Sequence, residues 1–590
     1  MPEKTTPLPR SLLRERTREV DAAFRKALGI QLYRVQLQAG ARLTRPVVVE
    51  LATGEGKTFT SALPLAALAD FHARAWLATA NDYLARRDAD ALRPVFAELG
   101  MSVGAVWSQM PPAERRQAYA CDITYGTLRE FAFDHLKERL AQREAAARGG
   151  SSAPTGGCRE LLGLPDPEDV ALLLDECDSL LIDEARTPFL ISAAGAPPTP
   201  AQESCFRWAC TLAATLERNA DYIREVPGGP VALTPQGTDR VIAATVPRQM
   251  APLNLVEILH AVERAVRVNE DFHCDHQYLV RDGEVRIVDD YTGRISEGRR
   301  WSAGVQQAIE ARESLVLSPD GRTEARITVQ DFVGRFGHVS GMTGTAREGA
   351  GEFSSVYGLK VEPLRPRLPV RRRVLPPVAS RTQEEKWNAV AADVQRTLKG
   401  GQSVLVGTRT VQASEELAAH FRAEGIAFEL LNARHPDREA EIVARAGDPG
   451  AVTIATNMAG RGTDIPLSPQ VLAAGGLHVI ATEFHTARRI DRQLIGRCAR
   501  QGDPGSARFL VSLEDEILDI SRGEEAADVR RDLAGAGSAS WVKVLEQSQR
   551  EIESKHAEAR IRLNASDRKL NESYQLLGLD PSLDRIEDPS

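Results

Sequence analysis

Apolar residues along this chain alternate between two rhythms. Val47–Leu51, Ala75–Ala80, Cys121–Thr127 and Val170–Leu174 are short runs with the length and β-branched or aliphatic make-up of buried strands. Between them, apolar residues recur every three or four positions among charges, the spacing of helices that bury one face. Residues 11–40 read as helical in this way, and Asn81-Asp82 caps and opens another helix. Strands alternating with helices predict an α/β fold with a parallel sheet and a ligand at the strands' carboxyl ends. Val404–Thr408 and Val452–Thr456 repeat the pattern and predict a second α/β lobe. Trp541 to Leu577 reads as one long helix, with Val544, Leu545, Ile552 and Ile561 spaced among charges. Residues 141–168 read as a surface loop, residues 521–540 are rich in Gly, Ala, Ser and charge, and the five prolines from Pro363 to Pro377, with Arg371-Arg372-Arg373, mark a linker.

A chain of 590 residues is too long for one core, so several domains are expected. With 42% hydrophobic and 26% charged residues it has ordinary globular composition, and its net charge of -8 argues against a nucleic-acid partner. The seven cysteines are scattered, with no Cys-x-x-Cys pair, and read as free thiols of a reducing cytoplasm, with no zinc expected. His273-Cys274-Asp275-His276 reads as structural, not as a metal site. The N-terminus lacks the apolar core of a signal peptide. The most apolar long stretch, Ser61–Ala80, is interrupted by Asp70, His72 and Arg74, so membrane contact is expected to be peripheral.

Chemistry enters directly after the first strand, at Ala52-Thr53-Gly54-Glu55-Gly56-Lys57-Thr58. A strand, a glycine-rich turn and a helix N-terminus aim backbone N–H groups and a positive dipole end at phosphate oxygens. Gly54, Glu55 and Gly56 would form this cradle, Lys57 would reach the β/γ-phosphates of ATP and Thr58 would ligand Mg²⁺. Leu51 stands where the full Walker pattern has its first glycine, so the match is to the variant of helicase-like motors. Gln36, some twenty residues upstream, carries an amide that can donate to and accept from an adenine edge. Val170–Leu174 ends in Asp175-Glu176, a Walker B pair. Asp175 would hold the Mg²⁺ shell and Glu176 would orient or deprotonate the attacking water.

Around this pair the block Asp175-Glu176-Cys177-Asp178-Ser179-Leu180-Leu181-Ile182-Asp183-Glu184-Ala185-Arg186-Thr187-Pro188 resembles the Walker B region of SecA, the ATPase motor of bacterial preprotein export. Further matching blocks follow in order: Asp289–Arg294, Gly298–Ser302, Gln306–Ala311, Gly341–Ala346, Thr453–Ile465, Arg488–Asp491 and Gly496–Asp503. The resemblance implies two RecA-like P-loop motor lobes. The first (1–192 and 306–362) is split by a preprotein cross-linking insertion (193–305). A linker (363–377), the second lobe (378–515) and a partial helical scaffold (516–590) follow. It also implies Arg497 and Arg500, three apart on an expected helix, as arginine fingers, with Arg461 and Asp464 at the nucleotide or the facing lobe.

The implied partners are the SecYEG translocon, unfolded preproteins and an anionic membrane surface, with a homodimer as one arrangement. The implied location is cytoplasmic, peripheral to the inner face of the cell membrane. The pattern departs from the family at Ala52, where an arginine usually stands, and in the short segment Pro466–Gly476. The rest of the scaffold hairpin, the helical wing and the zinc tail are expected to be absent, which points to an accessory or divergent member. Two alternatives stay open: an RNA helicase, since Asp175-Glu176-Cys177-Asp178 spells a helicase box, and a non-hydrolysing regulator. Stimulation by RNA would mark the helicase, and loss of Lys57, Asp175, Glu176, Arg497 or Arg500 would have marked the regulator.

Overall fold

A computed structural model describes residues 8–147, 161–193, 197–224, 231–274, 276–288, 301, 304–319, 322–431, 439–456 and 464–583. Seven parallel strands form the sheet of the first lobe. Their order is Lys360–Pro363, Val47–Glu50, His338–Thr343, Val170–Asp175, Arg74–Thr79, Ile123–Thr127, Val103–Ala105. Val47–Glu50 and Val170–Leu174 are wholly buried because helices cover both faces, which is why they read as continuous apolar runs. Glu50 pairs with Thr343 and Met342 with Asp175, so three polar strand ends lie side by side at one edge of the core.

The second lobe repeats the design. Its parallel strands run Arg371–Val374, Pro504–Ser512, Leu477–Ala481, Val404–Thr408, Val452–Thr456, Glu429–Leu431, with Val378–Ser380 also on Pro504–Ser512. The expected linker is therefore only partly a linker. Arg371–Val374 sits between prolines, yet it pairs with Pro504–Ala507 as an edge strand, the position in a sheet where nearby prolines do least harm.

The insertion leaves the first lobe on Phe189–Ala193 and returns on Arg322–Ile327, and these two strands pair antiparallel as a stem. The helix Val305–Arg312, which the expected boundary at 305/306 divides, packs on the insertion along its whole length. Val305, Ala308 and Ile309 share a core with Val268, Tyr278 and Val285, and Arg312 donates to the Val268 carbonyl at 2.7 Å. The return to the first lobe thus comes at the stem strand. The blocks Asp289–Arg294 and Gly298–Arg300 lie outside the described residues, as do Ser302 and Asp275.

Three further expectations change in detail. The N-terminal helical stretch is two helices, Arg10–Leu28 and Arg34–Leu43, because Gly29 adopts φ 66 and caps the first. The expected loop at 141–168 begins later, since the helix from Leu128 runs to Ala147. Before the long helix, the 521–540 stretch contains the short helix Ala526–Asp532. The long helix itself, Ser538–Leu576, buries Trp541, Leu545 and Ile552 in the second lobe's core. Farther along, Arg560 makes a bidentate pair with Glu352 of the first lobe at 2.6 and 2.8 Å. Among the described residues no helix is long and apolar enough to cross a membrane.

The first lobe's core carries an acid sensitivity. His338 lies in the sheet, almost fully buried, with a ring nitrogen 3.3 Å from the Leu43 carbonyl. Burial pushes its pKa from 6.5 down to about 4. Below pH 6.5 the unfolded chain binds a proton that the folded one refuses, so stability is full above that pH and is lost as pH falls toward 4. From about pH 7.5 to about pH 5 the loss is about 2 kcal/mol for this one group. Denaturant unfolding of His338→Gln at both values should show a correspondingly smaller drop.

Candidate functional site

The site forms where Glu50, Asp175 and Thr343 end their strands and the second lobe closes over them. After Val47–Glu50 the chain turns through Gly54 and Gly56, both left-handed at φ 87 and 81, into the helical turn Lys57–Thr60. Both positions need glycine for space as well as conformation. A Cβ on Gly54 would come within 3.0 Å of the Arg500 Cβ, and one on Gly56 within 2.5 Å of the Gln36 amide nitrogen.

Lys57 Nζ lies 2.7 Å from Glu176 Oε1, and both side chains are nearly buried. Glu176 reaches it from an unusual backbone: it is left-handed at φ 50, and its N–H donates to Asp175 Oδ1 at 2.9 Å. Burial opposes the Lys57 charge, but Glu176 and Asp175 outweigh it and its pKa ends raised. Asp175 is pushed up to about 7, first by burial, with Glu176 and Asp88 adding to it against Lys57. Burial likewise raises Asp88 in spite of Arg87.

Asp175 and Glu176 thus share one buried pocket with Lys57, and Asp88 lies close enough to raise Asp175. Such an excess of oxygen donors suits a hard divalent cation. Among the described residues, however, no three carboxylate, His or Cys side chains converge to hold a metal by themselves. That donor set fits Mg²⁺ held partly by nucleotide phosphates, with Asp175 and Thr58 as the protein's share. The Thr58 hydroxyl now donates to Asp88 Oδ2 at 3.3 Å, so it would exchange that partner for the ion.

Gln36 is buried and its amide is engaged inside the protein. Its nitrogen donates to the Glu55 carbonyl at 2.9 Å and its oxygen accepts from the Tyr33 N–H at 2.8 Å. It therefore ties the Gly54–Lys57 turn to the start of the helix Arg34–Leu43. The Glu55 side chain also faces inward, accepting from the Arg367 N–H at 3.1 Å.

The second lobe supplies the opposite wall. Its helix Arg488–Ile495 ends before Arg497, so Arg497 and Arg500 do not share a helix face. They lie in the turn after Gly496, where Ala499 and Gln501 are left-handed at φ 55 and 51. The turn seats Arg500 against Gly54, its Nε donating to the Gly496 carbonyl at 3.1 Å. Thr53 Oγ1 donates to the same carbonyl at 3.0 Å. Asp464 pairs with Arg500, a contact within its own lobe, and Arg461 lies outside the described residues.

The sequence alone does not single out the contacts that join the lobes. Asp178 accepts from Thr343 Oγ1, Thr345 Oγ1 and Gln493 Nε2, each at 2.6 Å. Arg489, one turn before Gln493, makes a buried bidentate pair with Asp183. Arg492 reaches Glu348 at 2.5 Å and Glu50 at 3.3 Å. The available signal is the spacing of Arg489, Arg492 and Gln493, which puts all three on one helix face.

Comparison with known proteins agrees with this arrangement. The SecA DEAD-like domain model matches residues 5–354, and the SecA P-loop domain model matches residues 369–471 and 468–534. Protein translocase subunit SecA 2 of Rhodopirellula baltica is 39% identical over 580 residues, covering 95% of this chain and 88% of that protein. Protein translocase subunit SecA of Halothermothrix orenii is 38% identical over 559 residues, covering 92% of this chain and 63% of that one. That of Heliobacterium modesticaldum is 39% identical over 575 residues, covering 96% and 65%. The chain thus spans less than two thirds of these last two relatives' length. With both motor lobes matched in order and a cleft of this construction between them, the chain belongs to the SecA family.

Proposed function

We propose that this chain hydrolyses Mg²⁺-ATP in the cleft between its lobes and uses the lobe movement to drive unfolded preproteins through the SecYEG channel. The observation that carries the reading is the Lys57–Glu176 pair, set in a phosphate-loop turn and faced across the cleft by the Gly496–Arg500 turn. Phosphate oxygens arriving at Lys57 compete with Glu176 for the ammonium. Glu176 is then released to orient or deprotonate water, and Arg500 and Arg497 lie in the turn from which they would stabilise charge on the transferring phosphoryl group. Asp178 links this chemistry to movement, since one carboxylate holds Thr343 and Thr345 of its own lobe and Gln493 of the other. The relatives' description as protein translocase subunits and the stemmed insertion support a protein substrate; SecYEG and unfolded preproteins are our reading of it.

The test measures ATP turnover of the purified chain alone, with RNA, and with unfolded preprotein on vesicles of anionic lipid with and without SecYEG. Several-fold stimulation that needs both preprotein and SecYEG is the expected result. Stimulation by RNA alone would replace the export reading with the helicase one.

A further inference from the structure

After the long helix ends, the chain folds back instead of running on. Gly578, left-handed at φ 71, turns it, and the Leu579 N–H donates to the Tyr574 carbonyl at 2.9 Å. Residues 580–583 then settle on the first lobe at the base of the insertion stem. Asp580 pairs with Arg139 at 2.7 Å, and the Leu583 carbonyl accepts from Arg143 at 3.2 Å. Ser582 is 2% exposed, its hydroxyl accepts from Arg335 at 3.0 Å, and its carbonyl accepts from the Arg326 N–H at 2.8 Å. That last contact matters most, because Arg326 belongs to the stem strand that pairs with Phe189–Ala193. The turn is closed on itself by the Ser582 N–H donating to Asp580 Oδ1 at 2.8 Å.

We propose that Gly578–Leu583 is a clasp that fastens the far end of the long helix to the insertion stem, so that stem and helix move as one body. The stem has only two strands, and Phe189, Ala325 and Ile327 seat its lower part in the first lobe's core. The clasp supplies a main-chain bond to one of those strands and ties it to Arg139 and Arg335, which stand on first-lobe helices. A cavity of about 490 Å³ lies beside the turn, lined by Arg139, Arg335 and Gly578–Pro581, while Leu583 packs against the first lobe's core. Such a joint can be released without unfolding what it joins. Release would loosen the Arg326 end of the stem while both motor lobes stay folded.

Hydrogen exchange on the full chain tests this without reference to ATP, so its outcome is separate from that of the motor reading. Asp580→Arg places a cation against Arg139, and the charge swap Arg139→Asp with Asp580→Arg rebuilds the pair. In the single variant, amides of the stem strand 322–327 and of residues 574–583 should exchange about tenfold faster, with 404–408 unchanged. The swap should return both segments toward wild type. The clasp is refuted if the single variant loosens 574–583 while the stem keeps its protection, or if the swap restores neither segment.

Discussion

Lys57→Ala is expected to lower ATP turnover by about a thousandfold or more, because the ammonium proposed to meet the phosphates also balances the carboxylates beside it. Asp175 is already pushed up to about 7 with Lys57 present, by burial first and then by Glu176 and Asp88. Without the lysine the pocket is a buried cluster of carboxylates, and nucleotide binding should fall together with turnover. Glu176→Gln separates the two effects. The amide keeps the side chain's size and remains able to meet Lys57, so nucleotide should still bind while phosphate release falls to background. Phosphate release and equilibrium nucleotide binding, measured on both variants, check the pair of expectations. Full turnover in either one would remove Lys57 and Glu176 from the chemistry.

The largest loss of stability is expected far from the cleft. Lys386 and Asp515 form a pair at 2.5 Å with exposures of 0% and 1% inside the second lobe. Lys386 also lies over the Trp387 ring, and Asp515 accepts from the Ser512 N–H at 2.8 Å. Lys386→Met leaves Asp515 buried without its cation, which should cost about 3–5 kcal/mol, whereas Lys386→Met with Asp515→Leu should recover much of it. The sign of the pH dependence follows from Asp515, which burial already raises from 3.8 to about 7. Removing the ammonium raises it further, so between 3.8 and that value the folded chain holds a proton the unfolded one has released. The single variant's deficit should therefore grow as pH rises from about 5 to about 8, which denaturant unfolding at the two values would show.

What was legible in the sequence was local. Val47–Thr58 and Val170–Glu176 each declare a strand, a turn and a charge within a dozen residues, and the structure puts those charges 2.7 Å apart. The linkage of Asp178 to Gln493 spans 315 positions, and nothing in either neighbourhood points to the other. Gln36 is a different case: an amide's chemistry shows what it can bind, but not that its donor meets the Glu55 carbonyl of the glycine-rich turn. Helical spacing put Arg497 and Arg500 on one face, but the left-handed residues Ala499 and Gln501 turn the chain there. The boundary after Val305 cuts a helix whose buried face suits either core, and only Tyr278 and Val268 tie it to the insertion.

The long helix is attached to the two lobes in different ways. Its 39 residues make a rod about 58 Å long, so a tilt of roughly 5° at one end displaces the other by about 5 Å. Trp541, Leu545 and Ile552 hold it to the second lobe by apolar burial, whereas Arg560 holds it to the first by one bidentate ion pair, whose exposures of 7% and 9% leave it little screened by salt. Under load the rod should part from the first lobe before the second. It behaves as a lever with one welded end and one end held by a few discrete polar bonds, Arg560–Glu352 and the Asp580–Leu583 turn.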